Sequence, residues 1–228
     1  MKYRVLYVAA TIVMLASGSF ARAGQTHFSF GGAVISGSGT LTYGVDSVAG
    51  DPAGAYAITG ISGTFSDAKL GLVDVAITGL VPINPISPSL GAPYPVSMSY
   101  YSVKNPHPPD ASLSYDNLYY PGGSPITCAG YPGAGGFLDV YGVMFTLANG
   151  DVVDFWSNGT FTGGPPLSYG AAVVDSTSYI RDFQSAVLGM SVPEPGSLGL
   201  MATGLIGALA VRLRRRSAAR RDEAISAV

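Results

Sequence analysis

Leu138-Asp139-Val140-Tyr141-Gly142-Val143-Met144-Phe145-Thr146-Leu147, then Ala148-Asn149-Gly150-Asp151, then Val152-Val153-Asp154-Phe155-Trp156, stand in one unbroken stretch. Two runs of β-branched and aromatic residues flank an Asn-Gly pair. Asn and Gly tolerate the positive φ that a tight hairpin demands, so the stretch reads as strand, turn, strand. Working outward, the same reading holds for Phe28 to Tyr43, Tyr56 to Phe65, Leu72 to Leu80, Val96 to Val103 and Ala171 to Ser178. Ser114 to Tyr120 is a polar–aromatic strand. In Ile58 to Phe65 the alternation is broken by Gly60 and Gly63, which signals bulges or close sheet packing. Strands at this spacing, without helices between them, predict an all-β domain: an antiparallel β-sandwich or barrel.

Two segments interrupt the strands. Val81 to Pro95 carries Pro82, Pro85, Pro88, Pro93 and Pro95, so it must be loop or edge-lying chain. Pro121 to Gly136 is Gly- and Pro-rich and holds the sole cysteine, Cys128. Long loops of this kind in compact domains are functional or mobile.

The ends are of a different character. Lys2 and Arg4, the apolar run Val5 to Leu15, and Ala21-Arg22-Ala23 form the three parts of a secretory signal, with cleavage expected after Ala23 and after Ala21 as the second choice. At the other end, Val192-Pro193-Glu194-Pro195 leads into 16 uncharged residues, Gly196 to Val211, followed by Arg212, Arg214, Arg215 and Arg216. About 20 apolar residues cross a bilayer, so this run spans one if Arg212 snorkels. Arg220 and Arg221 keep the tail, 217–228, on the cytoplasmic side.

This order of parts resembles the PEP-CTERM sorting signal of Gram-negative bacteria. The resemblance rests on Pro193-Glu194-Pro195, the apolar run and the arginine cluster. It implies recognition by an exosortase in the inner membrane and transfer of the upstream domain to the cell surface or extracellular matrix, in a setting that often includes exopolysaccharide production. Asp51-Pro52, Ile58 to Asp67 and Ser114 to Tyr120 also resemble passenger segments of such proteins, which have no assigned activity. The expected organisation is therefore a signal peptide at 1–23, an exported β-rich domain at 24–191, a sorting signal at 192–216 and a tail at 217–228, with helices only in the two signals.

Charge divides along the same lines. Residues 24–191 contain eleven Asp, no Glu, and only Lys69, Lys104 and Arg181 as fixed cations, a formal charge of −8 against −2 for the whole chain. So acidic a domain is a poor partner for nucleic acid or an anionic membrane. The lack of Glu, Lys and Arg also removes the usual helix formers.

The domain's residues offer little for catalysis. Nucleophilic hydrolysis needs a nucleophile with a base in reach, yet the histidines are only His27 and His107, and there is no Gly-x-Ser-x-Gly. Zinc lacks ligands, and Cys128 has no internal partner. Paired aspartates would serve a glycosidase, but most Asp sit beside Gly, Asn or Pro as turn formers. Asp151 and Asp154 are hard oxygen ligands for calcium, though in no recognised calcium pattern. Tyr119, Tyr120, Tyr131 and Trp156 are candidates to stack on sugars if exposed, and core or cross-strand partners if not. Asn158-Gly159-Thr160 reads as a turn. The function expected is a non-catalytic envelope or matrix component without cofactor. The alternatives are a glycan- or calcium-binding module and, more distantly, an Asp-based glycosidase.

Overall fold

The computed structural model describes residues 24–44, 49–86, 93–104, 111–160, 164 and 166–192. The signal segment with Ala21 and Ala23, the sorting segment from Pro193 onward with its expected helix, and His107 lie outside the described residues.

Eleven strands follow in chain order: β1 Gly24–Gly31, β2 Ile35–Tyr43, β3 Tyr56–Asp67, β4 Leu72–Leu80, β5 Ser99–Val103, β6 Ala111–Tyr115, β7 Leu118–Tyr119, β8 Val143–Leu147, β9 Val152–Gly159, β10 Ser168–Val174 and β11 Ile180–Ser191. Among the described residues, no helix is long and apolar enough to cross a membrane.

Eight strands form a closed antiparallel ring, β1-β2-β3-β4-β8-β9-β10-β11 and back to β1. Each pairs with the next in chain order, and the segment carrying β5, β6 and β7 is inserted between β4 and β8. Of the two expected architectures, the sandwich is thus corrected to a barrel. The sheet can curl shut because small residues let strands approach and bulges bend them. Gly39 and Gly63 face each other across β2 and β3, where a Cβ on either would run into the opposite backbone. Register shifts occur at Thr42/Tyr43, Phe65/Asp67, Ile77/Gly79 and Tyr169/Ala171. The seam between β1 and β11 is short, with Ser29, Phe30 and Gly31 opposite Ser191, Met190 and Gly189.

The barrel is filled. Phe28, Phe30, Leu41, Ile61, Phe65, Ile77, Phe145, Val153, Phe155, Tyr169 and Val173 belong to one buried cluster. Each such side chain contributes about 1.5–3 kcal/mol by leaving water. Phe30 stacks on Phe155 at 4.2 Å, and Phe155 on Tyr169 at 5.5 Å. Phe28 and Phe30 stand opposite Gly39 and Gly37 in the β1–β2 register, so a ring on one strand meets a glycine on the next. At one end Asp67 and Asp182 enter the interior, where the Lys69 ammonium and the Gln184 amide bind Asp182.

The insertion lies on the outer wall. The β5–β6 hairpin places Val103 and Tyr115 over Met144, Val152 and Val174, making a second apolar cluster outside the ring. Asn117, at φ 53, fastens the insertion to the barrel. Its Nδ2 donates to Val81 O and its Oδ1 accepts from Met144 N, both at 2.9 Å, while its carbonyl accepts from Ile58 N at 2.8 Å.

The expected strands at Tyr56–Phe65 and Leu72–Leu80 fall on β3 and β4. The run Phe28–Tyr43 is two strands joined at Gly32, and Ser114–Tyr120 is broken into β6 and β7 by Asp116-Asn117. Leu138–Gly142 is irregular, because the Asp139 carboxylate draws the backbone N–H groups of Tyr141 and Gly142 into a turn.

Candidate functional site

Beside the Asp67–Lys69–Asp182 group at the barrel end, chemistry-bearing side chains among the described residues gather at two further places, one buried and one exposed. The buried one is acidic. Asp116 and Asp139 are each 1% exposed, with Tyr120 beside them. Asp116 Oδ1 accepts from Leu118 N at 3.0 Å, and Asp139 Oδ1 accepts from Tyr141 N and Gly142 N at 3.0 and 3.1 Å. The Tyr120 hydroxyl donates to Asp139 Oδ2 at 3.3 Å.

Burial pushes the Asp116 carboxyl well above the usual carboxylate range, and the neighbouring Asp139 pushes it the same way. Burial raises Asp139 as well, opposed by the backbone N–H of Gly142 and a hydrogen bond from Asp116. Asp116 Oδ2 is buried without a hydrogen-bond partner, which favours the neutral acid over the carboxylate. Burial, then the charges of Asp116 and Asp139, raise the Tyr120 phenol too. These groups are linked to turns that carry the insertion, so the network's evident work is to hold Asp116-Asn117 against Asp139–Gly142. Asp139 escaped sequence reading. Its separation of 23 residues from Asp116 makes the pair invisible without the fold.

The calcium candidates are not brought together as ligands. Asp151 closes the hairpin turn: Leu147 N donates to its carbonyl at 2.8 Å, Gly150 takes φ 89, and Asn149 Nδ2 donates to its Oδ2 at 2.8 Å. Asp154 is buried on the outer wall, in register with Met144 and Ala172, under the β5–β6 hairpin. Burial alone pushes its carboxyl well above the usual range, and a neutral acid is a weak cation ligand. Among the described residues, no three of His, Cys, Asp and Glu form a group that could hold a metal ion.

The four aromatic candidates divide. Tyr119 and Tyr120 are buried, at 2% and 1% exposure, and fall on the core-partner side of the two readings. Tyr119 packs against Tyr43 at 5.0 Å inside the fold, and Tyr120 points into the acid pair. Tyr131 and Trp156, in contrast, share an outer face. Trp156 on β9 lies opposite Gly170 on β10, and its indole occupies the space a Cβ at Gly170 would need. Phe183 on β11, 52% exposed, stands 5.4 Å from it, centroid to centroid. Asn158 Oδ1 accepts from Trp156 Nε1 at 3.2 Å and from the Tyr131 hydroxyl at 3.3 Å. Its Nδ2 donates to Ser168 Oγ at 3.3 Å and Ser185 O at 2.8 Å. The turn residue of the sequence reading is therefore the buckle of an aromatic strip. Phe183 carried no sequence signal, because its strand reads as polar.

A barrel with a filled interior, closed on all sides, is the class of passenger this chain carries. The last strand of that barrel runs directly into the address. Residues 191–216 match the family model of the PEP-CTERM protein-sorting motif, and the chain thereby carries the signal of an exosortase-targeted exported protein. Ser191 ends β11, and Val192 still packs against the barrel core. No curated protein and no solved structure matches the chain.

Proposed function

We propose that this chain is a component of the cell envelope or extracellular matrix, in which the barrel has a structural or surface role and no catalytic one. The observation that carries the reading is the sorting motif beginning at the last residue of β11. Signal peptidase acting after Ala23 would leave Gly24, the first residue of β1, as the mature start, and exosortase acting at Pro193-Glu194-Pro195 would release or re-anchor the other end. In the antiparallel β1–β11 register Ser191 stands opposite Ser29, five residues along β1 from Gly24.

The non-catalytic part of the reading is supported by where the acids sit. A general acid must reach the atom it protonates. The pair that could share such work, Asp116 and Asp139, is sealed in the fold at 1% exposure each. The sorting part is tested by Glu194→Ala with Pro195→Ala, followed by cell fractionation. The expected outcome is unprocessed precursor held in the inner membrane. Unchanged mature mass and location would overturn the sorting reading.

A further inference from the structure

We propose that the strip formed by Trp156, Phe183 and Tyr131 is a binding platform for an uncharged polysaccharide chain. This fold uses one device twice. Inside the barrel, Phe28 and Phe30 face Gly39 and Gly37, and the rings fill the core. Outside, Trp156 faces Gly170 in the same way, and among the described residues it belongs to neither buried cluster. Where the wall is covered, by the β5–β6 hairpin, it carries Met144, Val152 and Val174; the strip lies further along the same strands.

The Trp156 indole lies over Gly170 and is half-buried, with the Phe183 ring beside it at an interplanar angle of 36°. Phe183 extends the strip across three strands, and the Asn158 amide spends both of its polar atoms on holding Trp156, Tyr131 and the adjoining backbone. Exposed aromatic rings fixed in advance lose little freedom on binding. Their electron-rich faces suit the C–H-bearing faces of sugar rings.

Charge selects the kind of sugar. Trp156, Phe183, Tyr131 and Asn158 carry none. The ionisable neighbours on the same strands are occupied elsewhere: Arg181 lies 3.7 Å from Asp175, and Asp154 is buried beneath the β5–β6 hairpin. With −8 on residues 24–191, a uronate or sulfated chain would be repelled, which leaves a neutral one. The inference goes beyond the sorting reading and does not depend on it, since it concerns the barrel wall alone.

Trp156 is the sole tryptophan, so its emission reports directly on the strip. The experiment titrates the full chain, purified in mild detergent, with cellohexaose, with chitohexaose and with an alginate hexamer. The expected result is a saturable change in tryptophan emission with a neutral hexamer and none with alginate. Phe183→Ala and Tyr131→Ala should each weaken binding about tenfold, with the thermal midpoint unchanged. Because Phe183 and Tyr131 are exposed, their truncation spares the core, and the midpoint controls for folding. Three results would overturn the proposal: no response to either neutral hexamer, a response to alginate in preference, or binding unaffected by both variants. Concentration-dependent dimerisation abolished by Phe183→Ala would overturn it as well, by making the strip a contact between copies of this chain.

Discussion

Asp116 shows how a single buried proton can set the stability of a fold. In the unfolded chain both Asp116 and Asp139 ionise near the ordinary value of 3.8, whereas in the fold burial raises both and the neighbouring Asp139 raises Asp116 further. The folded state therefore binds more protons above that value. Stability is full below the unfolded pKa and is lost as pH rises from there through the raised folded values. Asp154, raised by burial, adds to the same trend. The protein is accordingly expected to be more stable to urea at about pH 5 than at about pH 8. Asp116→Asn keeps an acceptor for Leu118 N and supplies a donor toward Asp139 without a titrating proton. It should stabilise the fold at about pH 8 by roughly 1–3 kcal/mol and flatten the pH dependence. Urea melts at the two pH values decide this; an Asp116→Asn variant with the wild-type slope would show that the acids are not paired.

At the scale of elements, the β5–β6 hairpin pairs with no barrel strand along its length and is held to the wall by side chains. Lys104 helps at its end, with its N–H donating to Ser178 O at 2.8 Å and its ammonium 5.5 Å above the Tyr179 ring. Beneath it lies Asp154, which is comfortable there only while protonated. Raising the pH should therefore loosen the hairpin before the barrel. Hydrogen exchange is expected to show amides of β5 and β6 losing protection with pH beyond the intrinsic rate increase, while those of β9 and β10 do not. Asp154→Asn should remove the difference, and hairpin amides as protected as barrel amides at high pH would contradict the idea.

The same elements show what the sequence could and could not tell. β3, β4 and the β8–β9 hairpin were legible, because alternation and Asn149-Gly150 are local signals. β11 was not: Asp182 and Gln184 turn toward the barrel end and Phe183 turns outward, which reverses the usual pattern. Closure was not legible either, since it depends on Gly39 meeting Gly63 and on three residue pairs between β1 and β11. Of the site, Tyr131, Trp156 and Asn158 were visible as residue types, but the strip they form needed Gly170 and Phe183 from two other strands.

At the scale of the whole molecule, charge ties the barrel to its route. Residues 1–23 carry +3, residues 24–191 carry −8 and residues 192–228 carry +3, which together make the −2 of the full chain. In the proposed route the basic ends are the parts that membranes and sorting enzymes would handle, and the acidic middle is the part that would meet the outside. Complete processing should thus change both mass and charge in one direction. Loss of either end alone leaves −5, and loss of both leaves about −8 if the second cut falls at the motif. The two −5 species differ in mass, because the C-terminal segment is the longer. Two-dimensional electrophoresis of the inner-membrane and extracellular fractions, with detection by an antibody to the barrel, separates all four forms. The expected pattern is a −5 species lacking 1–23 in the membrane and the −8 species outside. An extracellular form that keeps the arginine-rich end would mean that the barrel leaves the cell by a route that ignores the motif.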